Sequence, residues 1–342
     1  MADNQKIKIL SALSLTDSQV ERIKAVDPRI ELHWYGRKDA TRIPVELWRD
    51  AEILLSAGTP LPPPELTPAL RWIQFHSAGV DKALGQGEYV REGVKLTNAS
   101  GTMVSQMGEY VLMALLMLGH RAPEMFRNQV QKLWPETRQE KMEPKELRGS
   151  TVGIVGYGSI GREVARQLSA YGAKVLATKR DVLHPEDHGY VPEGLGDPLG
   201  HYFHRLYPSE ALNAMLKECD FVVVSPPLTD ETRHLISTEQ FAAMKPGAFL
   251  LNVSRGAVVD TNALIEAVKS GKLGGAVLDV FEEEPLPVES PLWDLPNVVI
   301  TPHVAGLSRR FMDGVIDLFI ANIERYLKRQ ELYNLIDARH GY

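Results

Sequence analysis

The sequence predicts an α/β protein with doubly wound parallel sheets. Apolar strand-like runs alternate with helix-like stretches along most of the chain, and a glycine-rich turn joins one such strand to a helix at 156–161. Ionisable residues also cluster just past the ends of later strands. At 342 residues the chain is long for one hydrophobic core and comfortable for two domains.

The first series of elements opens with the short strand Ile7-Lys8-Ile9-Leu10, and 17–26 has helical spacing after a Thr16-Asp17 start signal. Residues 30–35 alternate, 53–56 and 72–75 read as buried strands, and the Pro-rich stretch 59–64 is a loop that continues neither kind of element. This βα unit closes at Leu96-Thr97-Asn98, and 101–104 reads as a hinge before a long apolar helix over 106–120. A second series follows, with strands at 151–155, 174–177, 221–225, 249–253, 275–278 and 298–301. Helices fall between most of them, at 160–171, 209–217 and 262–270, and a terminal helix covers 308–329.

Hydrophobic residues make up 44% and charged residues 24%, the balance of a globular protein. A net charge of −6 and a pI near 6.0 argue against nucleic acid as the main partner. Met1-Ala2-Asp3-Asn4-Gln5-Lys6 lacks the apolar run of a secretory signal, and the longest apolar stretch, 110–118, falls short of the roughly 20 residues that span a bilayer. A cytoplasmic, membrane-free protein is expected. The single Cys219 fits a reducing compartment and reads as a small apolar residue beside the strand at 221–225.

Gly156-Tyr157-Gly158-Ser159-Ile160-Gly161 is a G-x-G-x-x-G that directly follows one strand and opens a helix, the context a dinucleotide site needs. Gly156 permits the tight turn, Gly158 lets backbone approach a pyrophosphate, and Gly161 lets helix pack on strand. Free N–H groups at the helix start, over Ser159 and Ile160, hold phosphate charge. The second strand bears on the choice of cofactor. Lys179 stands where an acid for the ribose 2′-OH is expected, and Arg180 follows it. Two cations there suit a 2′-phosphate, so NADP is favoured over NAD, although Asp181 lies within the slack of the acid rule.

Arg255, Glu284 and His303 each follow a predicted strand. Reducing a 2-oxo acid needs a cation for the substrate, a proton donor at the carbonyl oxygen, and a partner that keeps the donor charged. Those three residue types supply the three roles.

With these segments in view, the chain resembles the D-isomer-specific 2-hydroxyacid dehydrogenases. The likeness runs over nearly the whole length and rests on ordered motifs: GYGSIG, PPLTDETRHLI, MKPGAFLLNVSRGAVVD, GAVLDVFEEEPLP and TPHVAG. It implies that Arg255 binds the 2-oxo acid and that His303 donates the proton. Glu284 would hydrogen-bond His303 and favour its imidazolium. Asp279 would contact the nicotinamide amide, with Ser225, Pro226 and Ser254 lining the cofactor cleft. His76-Ser77-Ala78-Gly79-Val80-Asp81 matches the loop that receives the substrate carboxylate, with Ala78 and Gly79 as donors. Glu282 and Glu283 read as solvated, and Asp260 as the cap of a helix starting near Thr261.

The resemblance also implies two Rossmann-like domains with the active site in the interdomain cleft. Residues 1–103 plus 305–342 would bind substrate, and 104–304 the dinucleotide. A homodimer is expected, with the apolar helix at 110–118 as a contact and Trp134 matching a tryptophan that in some relatives reaches the partner. Glu284, where formate-oxidising relatives have Gln, and Ala78, where phosphite-oxidising relatives have Lys, argue against those relatives, and with the basic pair Lys179-Arg180 the glyoxylate and hydroxypyruvate reductases fit best.

The segment 183–207 departs most from the family. It is rich in Gly, Pro and His, and it reads as an irregular flap near the adenosine end of the cofactor. His184, His188, His201 and His204 have spacings a metal could use on helices, but no Cys joins them, so no metal is expected. The rival class is a cofactor-sensing, corepressor-like interaction protein with little turnover, which would share the fold and its site residues.

Overall fold

The computed structural model describes residues 5–84 and 89–337. The opening residues 1–4, part of the stretch read above as lacking a leader, lie outside the described residues, as does the side chain of Asp81. The chain forms two compact units, one reaching to Thr102 and resuming at Ser308, the other spanning Met103–Asp187 and Val191–Leu307. The division falls at 102/103 and 307/308, where the sequence suggested 103/104 and 304/305. His188–Tyr190, from the segment read as a flap, cluster with the first unit.

The first unit carries a parallel sheet of β1 (Ile7–Ser11), β2 (Ile30–Trp34), β3 (Ile53–Ser56), β4 (Trp72–Phe75) and β5 (Lys95–Thr97), in the order β2-β1-β3-β4-β5. β3 and β4 are buried along their whole length, as strands covered on both faces must be, which is why they read as unbroken runs rather than alternations. The helix Phe311–Leu327 buries Val315, Ile316, Phe319 and Ile323 here, and Trp72 packs against Phe319 and Tyr326. Several buried polar side chains pair with one another: Trp72 Nε1 donates to Thr97 Oγ1 at 2.8 Å, and Asn322 Nδ2 donates to Gln74 Oε1 at 3.1 Å.

The second unit carries β6 (Thr151–Val155), β7 (Lys174–Thr178), β8 (Arg205–Tyr207), β9 (Phe221–Val224), β10 (Ala248–Asn252), β11 (Leu273–Leu278) and β12 (Val298–Ile300). All pairings are parallel, in the order β12-β11-β10-β9-β6-β7-β8. The chain builds outward from β6 in one direction, then returns to add β9 on its other side. The crevice beyond the carboxyl ends of β6 and β9 is therefore the switch point, where open α/β sheets bind ligands. The helix Val104–Gly119 lays Met107, Val111, Leu115 and Leu118 into the core beside this sheet. That face of 110–118 is covered within the unit, while Met113 on another face is exposed.

The segment 183–207 ends in β8, a strand too short to announce itself in sequence, and its middle is not a loose flap. Asp197 is buried and accepts from the Tyr157 hydroxyl at 2.6 Å and from the amides of His201 and Tyr202. Glu163, also buried, accepts from Gly196 N at 2.7 Å. The guanidinium of Arg162, 2% exposed, donates to the carbonyls of Asp197 and Pro185, each at 2.6 Å, and of Glu186 at 3.3 Å. Its Nε lies 3.3 Å from Asp187 Oδ2, close enough to pair in charge though not aligned for a hydrogen bond. His184 pairs with Asp181 at 2.7 Å, and His204 Nδ1 accepts from Val175 N. Among the described residues no group of three or more His, Cys, Asp or Glu side chains is arranged to hold a metal.

Replacing Arg162 with Met strands three carbonyls at once. The variant should lose on the order of 3 kcal/mol of stability, seen as a lower Tm, and gain chymotryptic cuts within 183–207. An unchanged Tm with unchanged cleavage would mean that something else holds the segment.

Candidate active site

The glycine turn after β6 separates into positions the fold requires and one it does not. Gly156 sits at φ +93°, and a Cβ there would lie 2.8 Å from Pro226 N. A Cβ on Gly161 would lie 2.6 Å from Gly156 O, where helix meets turn. Gly158 has an ordinary extended backbone, and a Cβ on it would meet nothing within 4 Å. Neither backbone strain nor packing demands glycine at 158, so the open space above it fits the close approach of a ligand backbone such as a pyrophosphate. The twelve-residue helix Ser159–Ala170 begins there without a side-chain cap, and the positive end of its dipole suits an anion. From the end of β9, the Ser225 hydroxyl donates to Gly156 O at 3.0 Å, and Pro226 packs on the turn. These residues fit a dinucleotide.

The basic pair follows β7. Lys179 Nζ donates to His184 O and to Glu186 O, and burial with the nearby charge of Arg162 holds its pKa below the usual range. The Arg180 side chain is 58% exposed, with its guanidinium 3.7 Å from Glu231 Oε2. The Asp181 carboxylate is engaged by the His184 ring and by the amides of Leu183 and His184, so it organises the turn that follows.

Three loops at the carboxyl ends of β10, β11 and β12 carry the ionisable residues. After β10, Asn252 Oδ1 accepts from the Ser254 amide and hydroxyl, and Asn252 Nδ2 donates to Arg255 O at 3.1 Å. This stapled turn puts Ser254 in the interior and leaves Arg255 half-buried, its Nη1 on Ser254 O at 2.9 Å. A Cβ on Gly256 would fall 1.8 Å from Phe281 C. Only glycine lets the Arg255 loop seat against the segment leading to Glu284. Glu284 Oε1 accepts from Phe281 N at 3.1 Å, and its Oε2 meets His303 Nδ1 at 2.8 Å.

His303 is exposed and lies at φ +54°, held by its amide on Thr301 O at 3.0 Å. With Nδ1 committed to a carboxylate, Nε2 is the ring nitrogen left to exchange a proton. Asp279, buried, accepts from the Thr301 hydroxyl at 2.6 Å and from the amides of Val304 and Ala305 at 2.8 and 2.9 Å. A carboxylate offers about four acceptor sites, so one is left for the nicotinamide contact that the resemblance implies.

Asp260 caps the helix Thr261–Lys269 through Ala263 N at 3.1 Å. Glu282, exposed as expected, does more than meet solvent. It accepts from Thr261 Oγ1 at 2.7 Å and pairs with His234 at 3.2 Å. Burial pushes the Cys219 thiol up to about 12, which suits its packing over Gly153 and not reactivity. In the first unit, Ala78 and Gly79 follow β4, and among the described residues neither amide donates a hydrogen bond. The sequence had not singled out Asn252 or Thr301. An Asn two residues before a Ser, just past a strand, is the Asx-turn signal that could have flagged the first.

The family model for D-isomer specific 2-hydroxyacid dehydrogenase, NAD binding domain, matches residues 112–305, more than half of the chain. The chain belongs to this family. A glyoxylate reductase of Thermococcus litoralis is 32% identical over 325 residues, covering 92% of this chain and 93% of that protein. Among solved structures, a D-isomer specific 2-hydroxyacid dehydrogenase from Xanthobacter autotrophicus Py2, in complex with NADPH and MES, aligns with a TM-score of 0.78 at 28% identity, over 98% of this chain and all of the other. The NADPH-dependent glyoxylate/hydroxypyruvate reductase of Sinorhizobium meliloti, in complex with NADP and sulfate, aligns with a TM-score of 0.75 at 28% identity and the same coverage. The chain is thus an NAD(P)-dependent 2-hydroxyacid dehydrogenase, and His303, Glu284 and Arg255 lie on loops suited to that chemistry.

Proposed function

We propose that this dehydrogenase reduces glyoxylate or hydroxypyruvate to the 2-hydroxy acid with NADPH. The observation that carries the reading is the 2.8 Å contact between His303 Nδ1 and Glu284, on a turn fixed by a buried carboxylate. The bound nicotinamide supplies the hydride. Arg255 binds the oxo acid through its carboxylate and carbonyl, and the amides of Ala78 and Gly79 receive the carboxylate. As the carbonyl oxygen gains charge, His303 gives it the proton on Nε2, while Glu284 holds the ring in place through Nδ1. Gly156, Gly158, Ser159, Ile160 and Gly161 cradle the pyrophosphate, while Ser225, Pro226, Ser254 and Asp279 border the nicotinamide half. Residues 1–103 with 305–342 bind substrate, and 104–304 bind the dinucleotide.

The NADPH preference rests on Lys179 and Arg180 where an acid is usual, and the two solved relatives above carry NADPH or NADP. Glyoxylate and hydroxypyruvate rest on the names of those relatives. No observation favours the rival reading of a corepressor-like sensor. No helix among the described residues is long and apolar enough to cross a membrane, and a reduced, buried Cys219 fits the cytoplasm.

A homodimer is part of the reading. The helix Ala122–Val130 buries no residue, and Met125, Phe126, Val130, Leu133 and Trp134 are all exposed, a patch a second copy would cover. Sedimentation equilibrium should give a dimer, and Phe126→Glu should shift it toward monomer. A wild-type monomer at micromolar concentration would remove this surface as the interface.

NADPH oxidation should be measured, with NADH in parallel, against glyoxylate, hydroxypyruvate and pyruvate. His303→Ala should lose at least about a hundredfold in kcat while keeping NADPH affinity. Normal turnover in that variant would assign the proton to another group. Neutralising Lys179 and Arg180 together should weaken NADPH far more than NADH. An equal loss for both cofactors would end the case for NADP.

A further inference from the structure

We infer that Tyr110 is a positioning residue for His303, acting through Thr301 and Asp279. This deepens the reading of His303 as the proton donor and rests on it. Tyr110 lies on the helix Val104–Gly119, well before the strand that leads to His303, and its hydroxyl is 2.5 Å from Thr301 Oγ1. Thr301 has one hydroxyl proton, and it goes to Asp279 Oδ1 at 2.6 Å, because an ionised carboxylate can only accept. The Tyr110 hydroxyl is therefore the donor, and the chain of bonds has one direction, from phenol to alcohol to carboxylate. Burial pushes that phenol up to about 12, so it keeps its proton wherever the enzyme works.

At the far end, the same Asp279 oxygens accept from Val304 N and Ala305 N, the two amides that follow His303. His303 itself sits in the left-handed region, which non-glycine residues hold only when the surroundings impose it. Asp279 is the group that imposes it, and Tyr110 and Thr301 orient Asp279. One turn earlier on the same helix, Gln106 Nε2 reaches Gly306 O at 3.4 Å. The helix thus grips the catalytic turn from two positions on one face. None of this touches the reacting atoms, so the role is positioning.

A double-mutant cycle with two readouts tests it. Tyr110→Phe keeps the ring and should lower kcat by about two- to tenfold, the loss of one neutral hydrogen bond, with KM for the oxo acid unchanged. Thr301→Val removes a donor to a buried charge and should cost about ten- to a hundredfold, while Thr301→Ser restores the wild-type rate. The double variant should be no slower than Thr301→Val alone, because both act through Asp279. Independently of turnover, the Val304 and Ala305 amides should exchange hydrogen faster in Tyr110→Phe. Additive losses, or unchanged exchange at these two amides in a folded Tyr110→Phe, would overturn the inference. A raised KM with unchanged kcat would also overturn it, since the hydroxyl would then act on substrate. A wild type that reduces none of the oxo acids would sink the reductase reading alone, and the exchange measurement would still decide whether Tyr110 holds the turn.

Discussion

A carboxylate buried as deeply as that of Asp279 must collect donors from somewhere, and it collects them from the turn that carries His303. Leaving a buried charge unsatisfied costs several kcal/mol, so the turn has little freedom to drift. The Glu284–His303 contact and the φ of His303 both lie downstream of that constraint. The charge fixes geometry by needing to be satisfied.

The other half of the site is fixed by shape. Around the crevice between β6 and β9, steric limits force glycine at 156 and 161, because Pro226 and the turn's own carbonyl stand where side chains would go. At 158 the protein imposes no such limit. Dense packing on one side and deliberate openness on the other make a cradle from backbone alone, which suits a ligand whose phosphates want N–H donors rather than a particular side chain.

Much of this was legible in the sequence because it depends on local patterns. The strands that flank the site are long and apolar, the glycine spacing is set by a turn, and Arg255, Glu284 and His303 each sit just past a strand end. What escaped was long-range or short. β8 has three residues and no periodicity to read. Thr301 acts through hydrogen bonds to Tyr110 and Asp279 that depend on which elements the sheet order makes neighbours. The segment 183–207 looked irregular because its Gly and Pro content rules out regular elements, yet order there comes from Arg162 and Glu163 on a helix that precedes it. Composition speaks to secondary structure and is silent on tertiary anchorage. In 110–118 one face fills the core while Met113 on another stays exposed, and an apolar helix looks alike in sequence whether its cover is its own sheet or a second subunit.

The way that segment is fastened bears on how it could be moved. Its carbonyls converge on one guanidinium, its buried aspartate on one phenol, and one of its amides on one glutamate, all three contributed by Tyr157, Arg162 and Glu163 within the first turns after β6. It therefore behaves as a cassette with a three-residue socket. A recombinant exchange that carried the loop without the socket would deliver polar groups with nowhere to bond, whereas one that kept both would transfer the fold of the loop intact. The socket also overlaps the cofactor turn, so the two cannot diverge independently.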